Sequence, residues 1–353
     1  MFLQPRFHRE LSLRSLFLPV LSKKQFNTGV LLFRSCAEAL TFALEQFPLK
    51  LKVGIPIYCC ASVARAVKTS GHEIVYLDIA IDSAGYKYEL SIFKDVHVLL
   101  IVHYFGFYFD YIEIKKKYPN IMIIEDCSHV DFRKCKGVKE SLFQIYSFNL
   151  HKPLHAGLGG ALITNDSLVH HKYMMLPLLS QYTVYYIYIK QYIKDYAYWS
   201  IIYNLVKKFV DKNRQHQRYH VDTSKLDIFR VGDEIFRLIN RYHNVSCVLM
   251  NYMTIPCDYR LNVFETDDLC YFPIFCRSQK QRRIVCSEFG KSVDMYILWE
   301  NAFINGEAFQ RIDLSQFELT KRMLERIIFF PMSFFSNKQS VNRLTNVLLN
   351  TIQ

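Results

Sequence analysis

Ile121-Met122-Ile123-Ile124-Glu125-Asp126-Cys127-Ser128-His129, then Ser147-Phe148-Asn149-Leu150-His151-Lys152, then Gly157-Leu158-Gly159-Gly160 running into Ala161-Leu162-Ile163-Thr164, is the stretch that decides the fold. Ile121 to Glu125 is a short apolar run of the kind that forms a strand buried on both faces. Asp126 closes that run, and a carboxylate at such a depth calls for a cation. Lys152 lies in a loop between Ser147 and the glycines, where an amine is placed to form a Schiff base. A buried carboxylate and such a lysine, brought together by a glycine turn, point to pyridoxal phosphate (PLP).

Outward from there the chain alternates. Strands are expected at Val53 to Ile57, Ile74 to Ile79, His97 to His103, Ile121 to Glu125, Phe143 to Ser147 and Ala161 to Thr164, with helices after Ser35, at Ser62 to Thr69 and at Tyr111 to Tyr118. Continuous apolar strands separated by helices predict an α/β fold, a mostly parallel sheet sandwiched by helices. Ligands of such sheets sit beyond the carboxyl ends of the strands, where Tyr58, His103, Asp126 and Ser147 all fall.

The 353 residues, 51% of them apolar, suit one large domain or two of ordinary size. The expected division is a large domain over 1–250 and a smaller α+β domain over 251–353. In the latter, Tyr271 to Phe275, Met295 to Trp299 and Ile327 to Pro331 read as strands, and Lys280 to Phe289 and Lys338 to Leu349 as helices. Ile228 to Met250 reads as a long connecting helix, and residues 1 to 30 as an arm or short helix.

An aromatic-rich insert spans about 172–206, with Tyr182, Tyr185, Tyr186, Tyr188, Tyr192, Tyr196, Tyr198, Trp199 and Tyr203. Rings with polar tips suit a subunit interface or a helical pair. Beside the basic cluster Lys207, Lys208, Lys212, Arg214 and Arg218, they would also suit a weak peripheral membrane contact. The formal charge of +12 is otherwise spread out, which fits a solvated surface and an anionic small substrate, with no nucleic-acid partner.

Ten cysteines include no CxxC and no histidine-paired spacing, so neither a metal site nor a disulfide framework is expected. Pro19 interrupts the apolar run after Arg6, Arg9 and Arg14, and no signal peptide is read there. The expected compartment is cytoplasmic. No G-x-G-x-x-G follows the first strand, which counts against a nicotinamide-dependent enzyme.

Phe33-Arg34-Ser35-Cys36-Ala37-Glu38-Ala39-Leu40, Pro56-Ile57-Tyr58-Cys59-Cys60-Ala61-Ser62-Val63, His103-Tyr104-Phe105-Gly106 and the opening stretch occur in one order and at set intervals. Together, over residues 30 to 166, they resemble the DegT/DnrJ/EryC1/StrS family of PLP-dependent sugar aminotransferases, which have the fold-type I, aspartate aminotransferase-like architecture. The resemblance implies that Lys152 carries the cofactor and shuttles the proton, that Asp126 pairs with the pyridine nitrogen, and that His129 lies beside the ring. It also implies that Tyr58 stacks on the ring, and that Ser147 with the amides of Cys36 and Ala37 grips the phosphate. The implied reaction moves an amino group from glutamate to a keto-deoxysugar linked to a nucleotide, for surface polysaccharide or a related glycan, in a homodimer.

Two other outcomes stay open: a PLP-dependent sugar dehydratase, in which histidine replaces the lysine, and a non-catalytic member with a regulatory or membrane-associated role. The register from Ser147 puts lysine at the reactive position. The sequence departs from the family at Cys36, usually glycine, at Ala37, often a hydroxyl residue, and at His155 and Leu158, often threonine and glutamate. No Gly-x-Asn-x-Arg-Met segment is present, and Phe229-Arg230-Val231 occupies roughly that region.

Overall fold

The computed structural model describes residues 29–48, 50–88, 95–106, 108–130, 140–149, 152–153, 159–180, 182–183, 186, 245–262, 271–290, 292–293, 295, 298 and 313–351. Its centre is a seven-stranded sheet of β1 (Val30–Phe33), β2 (Lys52–Pro56), β3 (Glu73–Leu77), β6 (Val98–Val102), β7 (Met122–Asp126), β8 (Phe143–Ser147) and β9 (Gly160–Ile163), in the order β1-β9-β8-β7-β6-β2-β3. Strands β3, β2, β6, β7 and β8 run parallel, while β9 is antiparallel to both β8 and β1. Strand β6 (Val-Leu-Leu-Ile-Val) is buried at every position, as a central strand covered on both faces must be. A separate hairpin pairs β4 (Ile79–Asp82) with β5 (Gly85–Tyr88).

Four helices accompany these strands: α1 (Cys36–Leu44), α2 (Ala61–Thr69), α3 (Ile112–Lys117) and α4 (Ser167–Met174). Helix α1 starts where it does because Ser35, in extended conformation, accepts a hydrogen bond from the Glu38 amide at 3.2 Å. Glu38 also places a negative charge in the first turn and pairs with Arg34 at 2.5 Å. Asp166 caps α4 in the same way, accepting from Leu168 and Val169.

After α5 (Val245–Met253) come β10 (Phe272–Phe275), α6 (Gln279–Phe289), α7 (Glu318–Leu324), β11 (Ile327–Phe330) and α8 (Lys338–Asn350), with β10 and β11 antiparallel. Phe272, Phe289, Phe330, Phe334 and Phe335 interlock with centroid spacings from 4.6 to 6.3 Å. One apolar cluster runs from the seven-stranded sheet through this smaller group. The junction also has a polar tie: buried Asp78, between β3 and β4, accepts from the amides of Leu319 and Thr320 and from the Thr320 hydroxyl at 2.7 to 2.9 Å.

Three expectations differ from what is found. The segment read as one strand from Ile74 to Ile79 is two, because Asp78 turns toward α7 and breaks the run. Strand β1 is not among the expected strands; the arm ends at residue 30 and the first expected helix follows Ser35. Met295 and Leu298, the described residues of the strand expected from Met295 to Trp299, are not in a strand. The arm up to residue 28, the connecting helix before residue 245 and most of the aromatic insert lie outside the described residues. Among the described residues, no helix is long and apolar enough to cross a membrane.

Candidate active site

The register brings seven chain segments to one edge of the sheet. Strands β3, β2, β6, β7 and β8 point their carboxyl ends there, as does β1, since it is antiparallel to β9, itself antiparallel to β8. Strand β9 therefore begins at this edge, with Gly160 opposite both Phe33 and Ser147. Gly159, at φ +118, donates to the Arg34 carbonyl at 3.1 Å and accepts from the Phe148 amide at 2.9 Å. A Cβ on Gly160 would stand 2.4 Å from the Cys36 nitrogen. These two glycines thus press the N-terminus of α1 against the end of β8, an approach only residues without a side chain permit.

At the end of β7, Asp126 is buried and its Oδ1 accepts from the Ser128 amide at 2.9 Å. Lys152 is 8% exposed, held by a turn in which its amide donates to the Asn149 carbonyl at 3.0 Å. Its ammonium forms no ion pair among the described residues. Such a cation is costly to bury unless a ligand or an opposite charge faces it. Ser147 is also buried, and its Oγ has no hydrogen-bond partner among the described residues.

Cys36 reports how these groups converge. Its Sγ lies 3.1 Å from the Ser128 Oγ. Burial pushes its thiol well up and the Asp126 charge adds to this, while the Ser128 hydrogen bond and the Lys152 charge pull it back. The carboxylate and the amine thus act on one sulfur. The amides of Cys36 and Ala37 are the first two of α1, which have no partner within the helix, while Ser35 takes the amide of Glu38.

The other two expected residues occupy packed positions. Tyr58 has no exposed surface; its ring stacks on Tyr104 at 5.9 Å, and its carbonyl accepts from the Tyr104 hydroxyl at 2.5 Å. His129, 1% exposed, lies against Phe105 at 5.7 Å and Tyr271 at 4.7 Å, and its Nδ1 accepts from the Phe105 amide at 3.4 Å. Phe105 itself has φ 54, a strained value for a bulky residue.

The sequence analysis passed over Ser128 and Glu125. The signal for Glu125 was available: strand alternation puts it on the face opposite Asp126, in a run where a second charge needs partners of its own.

Residues 22–191 match the description "DegT/DnrJ/EryC1/StrS aminotransferase family". This segment belongs to that family. No curated protein matches the chain in sequence. Among solved structures, Helicobacter pylori PseC, described as an aminotransferase involved in the biosynthesis of pseudoaminic acid, is 15% identical with a TM-score of 0.61, over 91% of this chain and 86% of that one. The sugar aminotransferase Spr1654 from Streptococcus pneumoniae, in its PMP form, is 14% identical with a TM-score of 0.60, over 95% and 87%. The Escherichia coli GDP-4-keto-6-deoxy-D-mannose-3-dehydratase with hydrated PLP is 11% identical with a TM-score of 0.61, over 90% and 87%. The chain therefore has the fold shared by DegT/DnrJ/EryC1/StrS aminotransferases and this dehydratase, extending beyond the matched segment.

Proposed function

We propose that the chain is a PLP-dependent transaminase that moves an amino group, from glutamate, onto a keto-deoxysugar linked to a nucleotide, in glycan biosynthesis. The observation that carries this reading is buried Lys152, without an ion pair among the described residues, at the same sheet edge as Asp126 and the orphan Ser147 hydroxyl. The residues fit the cofactor. Ser147 and the amides of Cys36 and Ala37 offer donors to its phosphate, Asp126 a carboxylate to its pyridine nitrogen, and Lys152 an amine to its aldehyde.

When bound, PLP supplies an electron sink for the carbon that loses a proton. Lys152 would be the base that takes up and gives back that proton. Asp126, oriented by the Ser128 amide, keeps a proton on the pyridine nitrogen. His129 stands beside the ring with its orientation set by Phe105 and Tyr271, and Tyr58 supports the site from the core through Tyr104. The thiol of Cys36, kept protonated by burial, is a neutral lining group.

The dehydratase alternative has a specific point against it. Its resemblance calls for histidine where Lys152 stands, and a buried amine at that position favours transamination. The exposed apolar residues Leu168, Met174, Met175 and Leu178 support a homodimer. A cytoplasmic setting and the nucleotide on the sugar belong to the same proposal.

Absorbance tests it. The purified protein loaded with PLP is expected to be yellow, to lose the band in Lys152→Ala, and to convert to the pyridoxamine form on adding glutamate. A protein that stays colourless with PLP overturns the enzyme reading. A band that glutamate leaves unchanged overturns transamination and favours the dehydratase.

A further inference from the structure

The proposed chemistry leaves unused a buried polar cluster at this sheet edge. Glu125, next to Asp126, is 4% exposed. Its Oε2 is 2.8 Å from the Nε2 of His103, which has no exposed surface. Its Oε1 accepts from Ser141 Oγ at 2.5 Å, Gln144 Nε2 at 3.0 Å and the Tyr111 hydroxyl at 3.2 Å. His103 Nδ1 accepts from the Phe109 amide at 3.0 Å, so the imidazole proton sits on Nε2 and is donated to Glu125. The Cys127 thiol is close enough that the three ligand atoms lie within 4.8 Å of one another. With Nδ1 taken and Nε2 protonated, however, the imidazole has no lone pair for an ion.

His103 has a second hold on the same strand end. Its backbone N–H donates to the Asp126 carbonyl at 3.0 Å, while its side chain holds the residue before. On the other side the Cys127 amide donates to the Ile145 carbonyl at 2.8 Å. Asp126 is therefore the last residue of a strand clamped on both edges, and one clamp is fastened by a buried imidazole–carboxylate pair rather than by the ladder alone.

We propose that His103 and Glu125 are positioning residues that hold Asp126 at the end of β7 in the orientation it would need to pair with a pyridine nitrogen, through the double contact of His103 with Glu125 and with the Asp126 carbonyl. This rests on the PLP reading for its consequence, and on the hydrogen bonds alone for the clamp.

The test uses the full chain with Glu125→Gln, Glu125→Leu and the double variant His103→Phe/Glu125→Leu. Amide hydrogen exchange over residues 122–128 is compared with that over β2, and the rate constant and KM of the glutamate half-reaction are measured on PLP-loaded protein. Glu125→Leu should raise exchange at 122–128 about tenfold more than in β2, the equivalent of one lost hydrogen bond. It should also slow the half-reaction about tenfold, with KM for glutamate within about twofold. Glu125→Gln, which still accepts from His103, should restore both. The double variant removes the imidazole–carboxylate pair whole but takes the acceptor from the Ser141 hydroxyl and the Phe109 amide; it should be less stable than the wild type and slow the half-reaction at least as much as Glu125→Leu.

A uniform rise in exchange across all strands, or an unchanged rate in Glu125→Leu, overturns the proposal, because the pair would then be merely structural. If the wild-type protein is colourless with PLP, the cofactor reading falls alone; exchange at 122–128 still decides whether the clamp exists.

Discussion

Ser147 shows how a single atom separates folding from binding. Its Oγ is buried without a partner among the described residues, so removing it relieves an unpaired polar group. Ser147→Ala should therefore leave thermal stability of the ligand-free protein unchanged or slightly higher. Its affinity for PLP should fall about tenfold, for one hydrogen bond to a phosphate. Spectroscopic titration against a melting curve checks both halves. Gly160 behaves in the opposite way. A methyl group there meets the backbone of Ser35 and Cys36 at 2.4 to 2.5 Å, which no side-chain rotation relieves. Gly160→Ala should destabilise the fold by about 2 kcal/mol or more and push α1 away from β8; a lowered urea midpoint together with lost PLP binding would show it. Lys152 and Asp126 were legible because their residue types are anomalous where they stand. The packing of Tyr58 and His129 was not, since which ring faces a core and which faces a ligand depends on partners such as Tyr104 and Tyr271, which lie far away in sequence.

Two elements depend on carboxylates that cross between them. For Glu125, burial alone would raise the carboxyl pKa; His103 and the hydrogen bonds from Ser141 and Gln144 outweigh it and bring it below the ordinary 4.5. A depressed carboxyl stabilises the fold above the unfolded-state value and loses that contribution as pH falls from there through the lower folded-state value. Stability should consequently drop below about pH 4.5, and Glu125→Gln should flatten that part of the curve, read as the urea midpoint between pH 3.5 and 6. Asp78 fastens a different pair, accepting from the amides of Ile79, Leu319 and Thr320 and from the Thr320 hydroxyl. Asp78→Ala strands these donors and should cost ~3 kcal/mol in equilibrium unfolding, with Asp78→Asn costing less. Apolar runs made β2, β6, β7, β8 and β9 readable to within a residue or so. Strand β1 escaped because its four residues carry no alternation and pair only with β9, and the break at Asp78 escaped because a lone aspartate gives no sign of the distant helix it caps.

At the scale of the whole molecule, the match to the family ends at residue 191, yet the fold continues through β10, β11 and α8. The phenylalanine cluster of that region and the Asp78 tie explain how so weakly matched a sequence still builds the same second layer. What the covered core leaves outside is specific. Leu168, Met174, Met175, Leu178 and Tyr182 are each more than 60% exposed along one short run, beside Lys172 and with no acidic residue from Ser167 to Lys194. A run of large apolar side chains on a surface marks a binding face; this one follows the end of β9 at Ile163, on the edge of the sheet opposite the site. If a second copy covers it, light scattering should give twice the chain mass, and Met175→Glu with Leu178→Glu should give a single chain while its melting temperature stays within a few degrees. The absence of acids makes an anionic membrane the competing partner. Sedimentation with anionic vesicles at low salt, by wild-type protein that remains a single chain in their absence, would therefore replace the dimer with a membrane contact.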